Sequence, residues 1–359
     1  MKNLLIYGAN GYTGELIARE AVKRGLKPML CGRSKTRVEP LANELGLVHR
    51  TFSLEDKTSL DYTLKQVDLV IHCAGPFSLT SKQMVEGCLR TKTHYIDITG
   101  EIAVFEMLAG YDRAAKDSGI MILPGAGFDV VPTDCLAKFL STKLPGATAI
   151  TLAFYGGGEM SHGTRRTMTI NLGKGGAIRK DGKITHVPAA WETKRINFGN
   201  FSKDAVTIPW GDVSTAFYST GIPNIKVFTV VPKQSIRLLH LTNYFGWLLS
   251  TKPIQNYLLK QIPNGGPDFE AREQGNTYVW ACAENEEGDV VEAVLTGPEG
   301  YKFTYLSVME ITSRILNDEF SPGFQTPSNA YGAGLVLAIE GVRRELRNTG
   351  KRKTKHEPQ

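Results

Sequence analysis

The 359-residue chain has few cysteines, and none of them forms a metal-binding or redox pair. The five cysteines are widely spaced and no CxxC motif occurs, so neither a cysteine-based zinc site nor a disulfide framework is indicated. We interpret them as buried, reduced thiols and predict a cytoplasmic protein with no metal. The sequence also lacks zinc-finger, helix-turn-helix and RNA-recognition signatures, which argues against a nucleic-acid partner.

Long apolar runs are also missing. The most apolar later stretch, Leu238 to Leu249, is interrupted by His240 and Asn243 and is too short to cross a bilayer. The chain enters a strand pattern at its start, so no signal peptide is expected. The wider stretch from Leu238 to Leu259 favours a core helix, although an apolar pocket or a peripheral membrane contact is also compatible with it.

Excess charge is confined to the C-terminal end. The net charge is +6, but residues 343–359 hold seven Lys/Arg and two Asp/Glu, so the rest of the chain is close to neutral. Such a basic end is typical of a solvated, disordered tail.

The most informative motif present is a glycine turn near the N-terminus. An apolar run, Leu4 to Tyr7, precedes Gly8-Ala9-Asn10-Gly11-Tyr12-Thr13-Gly14, and a helical pattern follows. Strand, glycine turn and helix in this order are typical of a dinucleotide site, where helix N–H groups bind the pyrophosphate.

The second predicted strand indicates which dinucleotide binds. An NAD site usually places an Asp or Glu about 20 residues after the fingerprint. Here Arg33 and Ser34 stand at that place, and no carboxylate occurs between Ala21 and Val38. Arg33 can form charge-assisted bonds to a 2′-phosphate, so NADP(H) is favoured over NAD(H).

Six predicted strands alternate with helices as far as Leu123. This predicts an α/β fold: an N-terminal Rossmann-type parallel sheet with helices on both faces. From Ala147 to Leu316 strand-like runs and two hairpin turns predict an inserted α+β second domain.

Four motifs at the predicted strand ends, GANGYTG, CAGPF, THYIDITGE and GAGFDVVPTD, resemble those of the saccharopine dehydrogenase-like oxidoreductases. Their closest likeness is to the branch of bacterial trans-acting enoyl reductases. Later segments, Pro209 to Val213, Ser219 to Asn224 and Gly323 to Pro327, extend the resemblance over nearly the whole chain.

The resemblance implies a domain plan. It gives an NAD(P)-binding Rossmann domain at 1–130, a substrate domain at 131–324, a C-terminal helix at 325–348 returning to the first domain, and a basic disordered tail at 349–359. The implied cofactor residues are Gly8, Asn10, Gly11, Tyr12, Thr13, Gly14, Arg33, Ser34, Ala74, Gly75, Pro76, Phe77, Gly127 and Phe128.

The sequence leaves the catalytic residues open. Titratable side chains at the predicted strand ends form the pool for a general acid: His94, Tyr95, Asp97, Glu101 and Asp129. Of these we select Tyr95, Asp97 and Asp129. A Tyr-x-x-x-Lys pair occurs nowhere, which argues against the short-chain dehydrogenases. His162, Arg165 and Arg166 either bind an acidic substrate group or cap and solvate a helix.

Three functions fit these observations. The first is an NADP(H)-dependent reductase acting on C=C or C=O in an apolar or acyl small-molecule substrate. The second is a C–N (imine) reductase for amino acid and keto acid substrates. The third is a non-catalytic NADP-binding sensor or scaffold. A homodimer is compatible with each of them.

Overall fold

The computed structural model describes residues 2–156, 159–263 and 265–351. Its first domain is built as alternating strands and helices, as the sequence predicts. The strands are β1 Leu4–Tyr7, β2 Met29–Gly32, β3 His49–Thr51, β4 Leu69–His72, β5 His94–Asp97 and β6 Met121–Leu123. The helices are α1 Tyr12–Lys23, α2 Lys35–Leu45, α3 Lys57–Leu64, α4 Phe77–Thr91, α5 Ile102–Ala109 and α6 Asp112–Ser118.

These strands form a parallel sheet with the order β15-β6-β5-β4-β1-β2-β3, in which β15 (Gly323–Phe324) is added from the far end of the chain. The central strands β1 and β4 are buried along their whole length, and separate apolar clusters cover the two faces. The Rossmann-type fold is confirmed. All carboxyl ends of these strands therefore lie at one edge, where ligands bind in such sheets.

The second domain is a mixed sheet with helices. Its strands are β7 Ala149–Gly156, β8 Gly176–Lys180, β9 Lys183–Val187, β10 Thr193–Asn197, β11 Ser202–Thr207, β12 Asn224–Val230, β13 Asn276–Glu284, β14 Asp289–Pro298 and β16 Arg343–Lys351. Its helices are α7 Val131–Lys143, α8 His162–Asn171, α9 Asp212–Thr220, α10 Lys233–Leu249, α11 Lys252–Lys260, α12 Phe269–Gln274, α13 Gly300–Leu316 and α14 Pro327–Tyr331.

The main path of this nine-stranded sheet is β10-β11-β12-β7-β13-β14-β16, and β8 joins β12 and β9. Both predicted hairpins are present: β8 and β9 are joined at Asp181-Gly182, and β13 and β14 at Asn285 to Gly288. Asp181 and Gly182 both have positive φ, as a two-residue hairpin turn requires. The inserted α+β domain is confirmed.

Two helices join the domains. Helix α7 follows β6 and packs against β7, β13 and β14, while α13 packs against α1. One continuous apolar cluster consequently runs from β1 and α1 of the first domain to β7 and β13 of the second. The edge that carries the glycine turn is thus held against the second domain.

The predicted C-terminal helix is wrong. A short 3-10 helix, Leu335–Ala338, is followed by Gly341 at φ +82° and then by β16, which pairs antiparallel with β14. Without β16, β14 would be left as a sheet edge with unpaired backbone groups, so tertiary pairing overrides the helical pattern. The return to the first domain is made by β15 instead. Residues 349–351, which the sequence predicts to be part of the tail, form the last residues of β16, and residues 352–359 lie outside the described residues.

The preference for a core helix between Leu238 and Leu259 is also wrong. The stretch forms α10 and α11, and many of its large apolar side chains are exposed. Across the described ranges, no helix is both long and apolar enough to cross a membrane.

Candidate functional site

The glycine turn connects β1 to α1 through close backbone contacts. Gly8 has φ +84°, and its N–H donates to the carbonyl of Cys31 at 2.8 Å. A Cβ on Gly8 would lie 2.8 Å from the backbone nitrogen of Ala74, and a Cβ on Gly14 would overlap the carbonyl of Gly8. Both positions therefore require glycine, and the turn holds the ends of three strands together.

Helix α1 begins directly after this turn with an open first turn. Its N-cap is Gly11, which has no side chain to bind the first N–H groups. Unpaired N–H groups and the helix dipole attract anions at a helix N-terminus. The residues present fit a dinucleotide pyrophosphate at Tyr12, Thr13 and Gly14.

The end of β2 lies beside the turn. The side-chain oxygen of Asn10 faces Gly32, where an added Cβ would lie 2.7 Å from it. Arg33 is exposed, and the Ser34 hydroxyl lies 2.9 Å from that of Thr36. An exposed guanidinium and a hydroxyl at this edge fit a 2′-phosphate.

The turn after β4 also reaches the glycine turn. Cys73 N–H donates to the carbonyl of Tyr7 at 2.7 Å, which places Ala74 against Gly8. The Gly75–Pro76 peptide is cis. The N–H of Phe77 already donates to a carboxylate oxygen of Glu101 at 2.8 Å. Glu101, which the sequence places among the candidates for a general acid, therefore caps the N-terminus of α4.

Tyr95 and Asp97 are fully buried in β5. The Tyr95 hydroxyl donates to Asp97 Oδ2 at 2.6 Å, while Asp97 Oδ1 accepts from the N–H groups of Thr99 and Gly125, each at 2.9 Å. Burial raises the pKa of Asp97 to about 6, although these hydrogen bonds oppose the rise. Neither side chain is exposed to solvent, so we assign both to supporting the turns that follow β5 and β6.

Asp129 differs from these two because the residue as a whole keeps some solvent exposure. It follows β6 and lies against the neighbouring turn, where a Cβ on Gly100 would be 3.0 Å from Asp129 Oδ2. Burial raises the pKa of this carboxyl to about 7. A carboxyl group with such a pKa is suited to donating a proton near neutral pH.

The loop that carries Asp129 is fixed by the second domain. The indole N–H of Trp210 donates to the Asp129 carbonyl at 2.8 Å. Phe128 N–H donates to the Thr304 hydroxyl at 3.0 Å, and the Ser307 hydroxyl donates to the Ala126 carbonyl at 2.7 Å. A Cβ on Gly127 would lie 2.9 Å from Thr304. From the sequence, Trp210 is recognisable only as part of the Pro209 to Val213 segment, and no pattern indicates the role of α13.

Aromatic rings form a wall beside Asp129. The Phe154 ring lies 5.1 Å from that of Trp210 and 6.0 Å from that of Phe128, measured between centroids. All three side chains are only partly buried. The wall is therefore suited to an apolar group.

A second inter-domain contact reaches the glycine turn itself. The Tyr12 hydroxyl donates to the carbonyl of Pro267 and accepts from the Arg272 guanidinium at 2.9 Å. The Tyr301 ring meets the Tyr12 ring edge-on at 5.0 Å. Tyr12, predicted only as a cofactor residue, thus fixes the second domain to the turn.

Of the remaining candidates, His94 lies away from the glycine turn, whereas helix α8 begins beside it, because the Ser161 N–H donates to the hydroxyl of Tyr301, whose ring meets that of Tyr12. His94 is at the opposite end of β5, where its ring accepts from Met121 N–H at 3.0 Å and packs on Phe320. Helix α8 carries His162, whose ring lies 3.1 Å from the Pro263 carbonyl, and Arg165, which pairs with Glu159 at 3.8 Å. Within the described ranges no group of three or more His, Cys, Asp or Glu is placed to hold a metal ion.

Comparisons with known proteins identify the type of the first domain. Residues 4–123 match the family described as the saccharopine dehydrogenase NADP binding domain. The NADP(H) prediction is thereby confirmed. The yeast saccharopine dehydrogenase (L-Glu forming) from Saccharomyces cerevisiae superposes with a TM-score of 0.66 at 13% identity, covering 97% of this chain and 100% of that chain. At this identity, the likeness shows the fold alone.

Curated relatives are similar at low identity. The mouse saccharopine dehydrogenase-like oxidoreductase is 25% identical over 55% of this chain. A lipid droplet localized protein of Caenorhabditis elegans is 23% identical, over 96% of this chain and 98% of its own length. A putative trans-acting enoyl reductase of Mycobacterium tuberculosis is 31% identical over 42% of this chain and 38% of its own. The matched region spans about half the length of the mouse protein, at 46%.

Proposed function

Because residues 4–123 form an NADP-binding domain of the saccharopine dehydrogenase type, we propose that this chain is an NADP(H)-dependent oxidoreductase. We infer that it reduces a C=C or C=O bond of an apolar, acyl-like substrate. The observation that carries the proposal is Asp129, a partly buried residue of the loop after β6, whose backbone carbonyl accepts from Trp210 of the aromatic wall.

The proposed chemistry separates the roles of cofactor and protein. When bound, NADPH supplies a hydride to one carbon of the substrate. Asp129 in its neutral form donates a proton to the other reacting atom. Its pKa of about 7 keeps a large fraction protonated near neutral pH, when the proton is needed. Phe128, Phe154 and Trp210 position the apolar substrate and exclude water.

The relatives support the same reaction class. The mouse protein carries an oxidoreductase name and the mycobacterial protein is named a putative enoyl reductase. An imine reductase would require cationic groups for the substrate carboxylates. The aromatic wall of Phe128, Phe154 and Trp210 beside the Asp129 loop favours the apolar substrate.

Steady-state NADPH oxidation tests the proposal with two substrate panels: enoyl thioesters and ketones in one, keto acids with amines in the other. We expect turnover with the first panel and its loss in Asp129→Asn. Turnover with the second panel alone would favour the imine reductase. NADPH binding without turnover in either panel would favour a sensor or scaffold.

A further inference from the structure

The helices α10 and α11 form a hairpin whose outward side is apolar. Leu238, Leu241, Phe245 and Leu248 recur at helical spacing along α10 and are 63%, 54%, 55% and 40% exposed. Beside this stripe, Trp247 is 73% exposed. Helices of a folded domain normally direct such a stripe towards the core, so this surface is suited to an apolar environment outside the domain.

The opposite side of α10 explains why the stripe faces outward. Gly246 packs backbone to backbone against Gly173. Asn243 accepts from the N–H of Ala189 at 2.7 Å and donates to its carbonyl at 3.1 Å. The hairpin is therefore attached to the domain through small and polar groups. Its orientation is fixed by specific contacts and leaves the large apolar side chains free.

The charge of this segment is of one sign. Residues 213–267 contain no Asp or Glu. The exposed cations of the hairpin include Arg237, Lys252 and Lys260. Basic residues beside exposed leucine, phenylalanine and tryptophan are the composition of helices that lie in a lipid interface. Aromatic side chains with a polar edge, such as Trp247, favour the same boundary.

From these contacts we propose that the α10–α11 hairpin binds the surface of an anionic lipid layer. The leucines and aromatic rings enter the acyl boundary, and the basic side chains contact phosphate headgroups. The occupant is lipid, because a helical surface that combines exposed apolar side chains with cations, in a segment that contains no acidic residue, complements an anionic interface. This inference rests on the hairpin and is independent of the proposed reaction.

Co-sedimentation of the full chain with vesicles tests the inference. We expect binding to mixed phosphatidylglycerol and phosphatidylcholine vesicles, and weaker binding to phosphatidylcholine alone. The double variant Phe245→Ser/Trp247→Ser should bind on the order of a hundredfold more weakly, since two large apolar side chains no longer leave water. The matched control Tyr62→Ser/Leu79→Ser removes side chains of similar exposure, 63% and 66%, from α3 and α4 and should bind normally.

The charges give a second readout. Lys252→Gln/Lys260→Gln should lower affinity for the anionic vesicles by about fivefold per charge and leave binding to phosphatidylcholine nearly unchanged. Brominated lipids should quench Trp247 fluorescence, and Trp247→Phe should remove that quenching while retaining binding. Equal binding by wild type and both double serine variants would overturn the proposal. Concentration-dependent dimerisation abolished by Phe245→Ser/Trp247→Ser, without lipid binding, would instead assign the surface to a second copy of this chain.

Discussion

Two turns at the same edge of the first sheet are built in different ways. The turn from Gly8 to Gly14 is held by backbone contacts to Cys31 and Ala74 within its own domain. The loop from Gly125 to Asp129 is held largely by side chains from elsewhere, including Trp210 and Thr304 of the second domain. The cofactor part is thus mostly local, whereas the proposed proton donor depends on how the two domains pack.

The largest expected effect tests the local turn. Gly14→Val places side-chain atoms where the Gly8 carbonyl lies, so NADPH binding should be abolished and the melting temperature should fall. In Gly11→Val the added Cβ would lie 3.3 Å from the Gly8 carbonyl oxygen, so the fold and its circular dichroism spectrum should stay native. NADPH binding should nevertheless be lost, because the branched side chain stands where the pyrophosphate approaches the backbone. Gly334→Ala, where nothing lies within 4 Å of the added Cβ, is the control. Unchanged NADPH affinity in Gly11→Val would make the turn purely structural.

The next effect concerns the proton donor. Asp129→Asn should lower turnover by about 10²- to 10⁴-fold, the usual contribution of a general acid, with unchanged NADPH affinity. Asp117→Asn on α6, where the side chain is 73% exposed, should behave as wild type. Because the reactive form is protonated and the pKa is about 7, wild-type turnover should decline as the pH rises through that value. A wild-type pH profile in Asp129→Asn would contradict this role.

The same carboxyl group makes stability depend on pH. Its pKa is raised in the folded chain, so ionisation costs more there than in the unfolded chain. Its favourable contribution is fully present below the ordinary carboxyl pKa of about 4 and is lost as pH rises through about 7. Thermal melts should therefore show that Asp129→Asn reduces the loss of stability between about pH 4 and about pH 7.

A smaller effect is expected at the ribose end of the local site. Arg33→Ala should weaken NADPH binding on the order of tenfold to a hundredfold, since charge-assisted bonds contribute about 1.5–3 kcal/mol. Fluorescence titration should show little change for NADH. Arg113→Ala, at a side chain that is 95% exposed on α6, controls for the loss of one positive charge. Equal losses for NADPH and NADH would place the 2′-phosphate elsewhere.

The smallest effect tests the inter-domain support of the second loop. Trp210→Phe keeps a smaller aromatic ring and removes the indole N–H that donates to the Asp129 carbonyl. Because one such bond contributes about 0.5–1.5 kcal/mol, turnover should fall about two- to tenfold without a change in NADPH affinity. Trp191→Phe, at a ring that is 54% exposed, should leave turnover unchanged. A loss of NADPH affinity equal to the loss in turnover would show that the turn from Gly8 to Gly14 also depends on the hydrogen bond of Trp210.

The sequence predicted what depends on neighbouring residues. Glycine spacing, apolar runs and hairpin turns are local signals, so the Rossmann-type sheet, the turn at Gly8 and the hairpin at Asp181-Gly182 were predicted correctly. The absence of acidic residues around Arg33 likewise indicated NADP(H). For the sheet and the two turns, the backbone conformation follows from the residues that carry the signal; for the cofactor, the charge of neighbouring side chains carries it.

Tertiary structure decided the remaining features. Residues 343–351 form a strand that pairs with β14, because hydrogen bonding to the edge of β14 outweighs the helical pattern of this segment. The glycine contact of Gly246 with Gly173 orients α10 outward, which apolar periodicity cannot reveal, since the same stripe suits a core or an interface. Asp97 and Asp129 both lie at strand ends, yet Asp97 is enclosed by hydrogen bonds within its own domain, whereas Asp129 lies in a loop held by Trp210 and Thr304 of the second domain. Burial and partners from distant segments set their chemistry, and these exist only once the chain is folded.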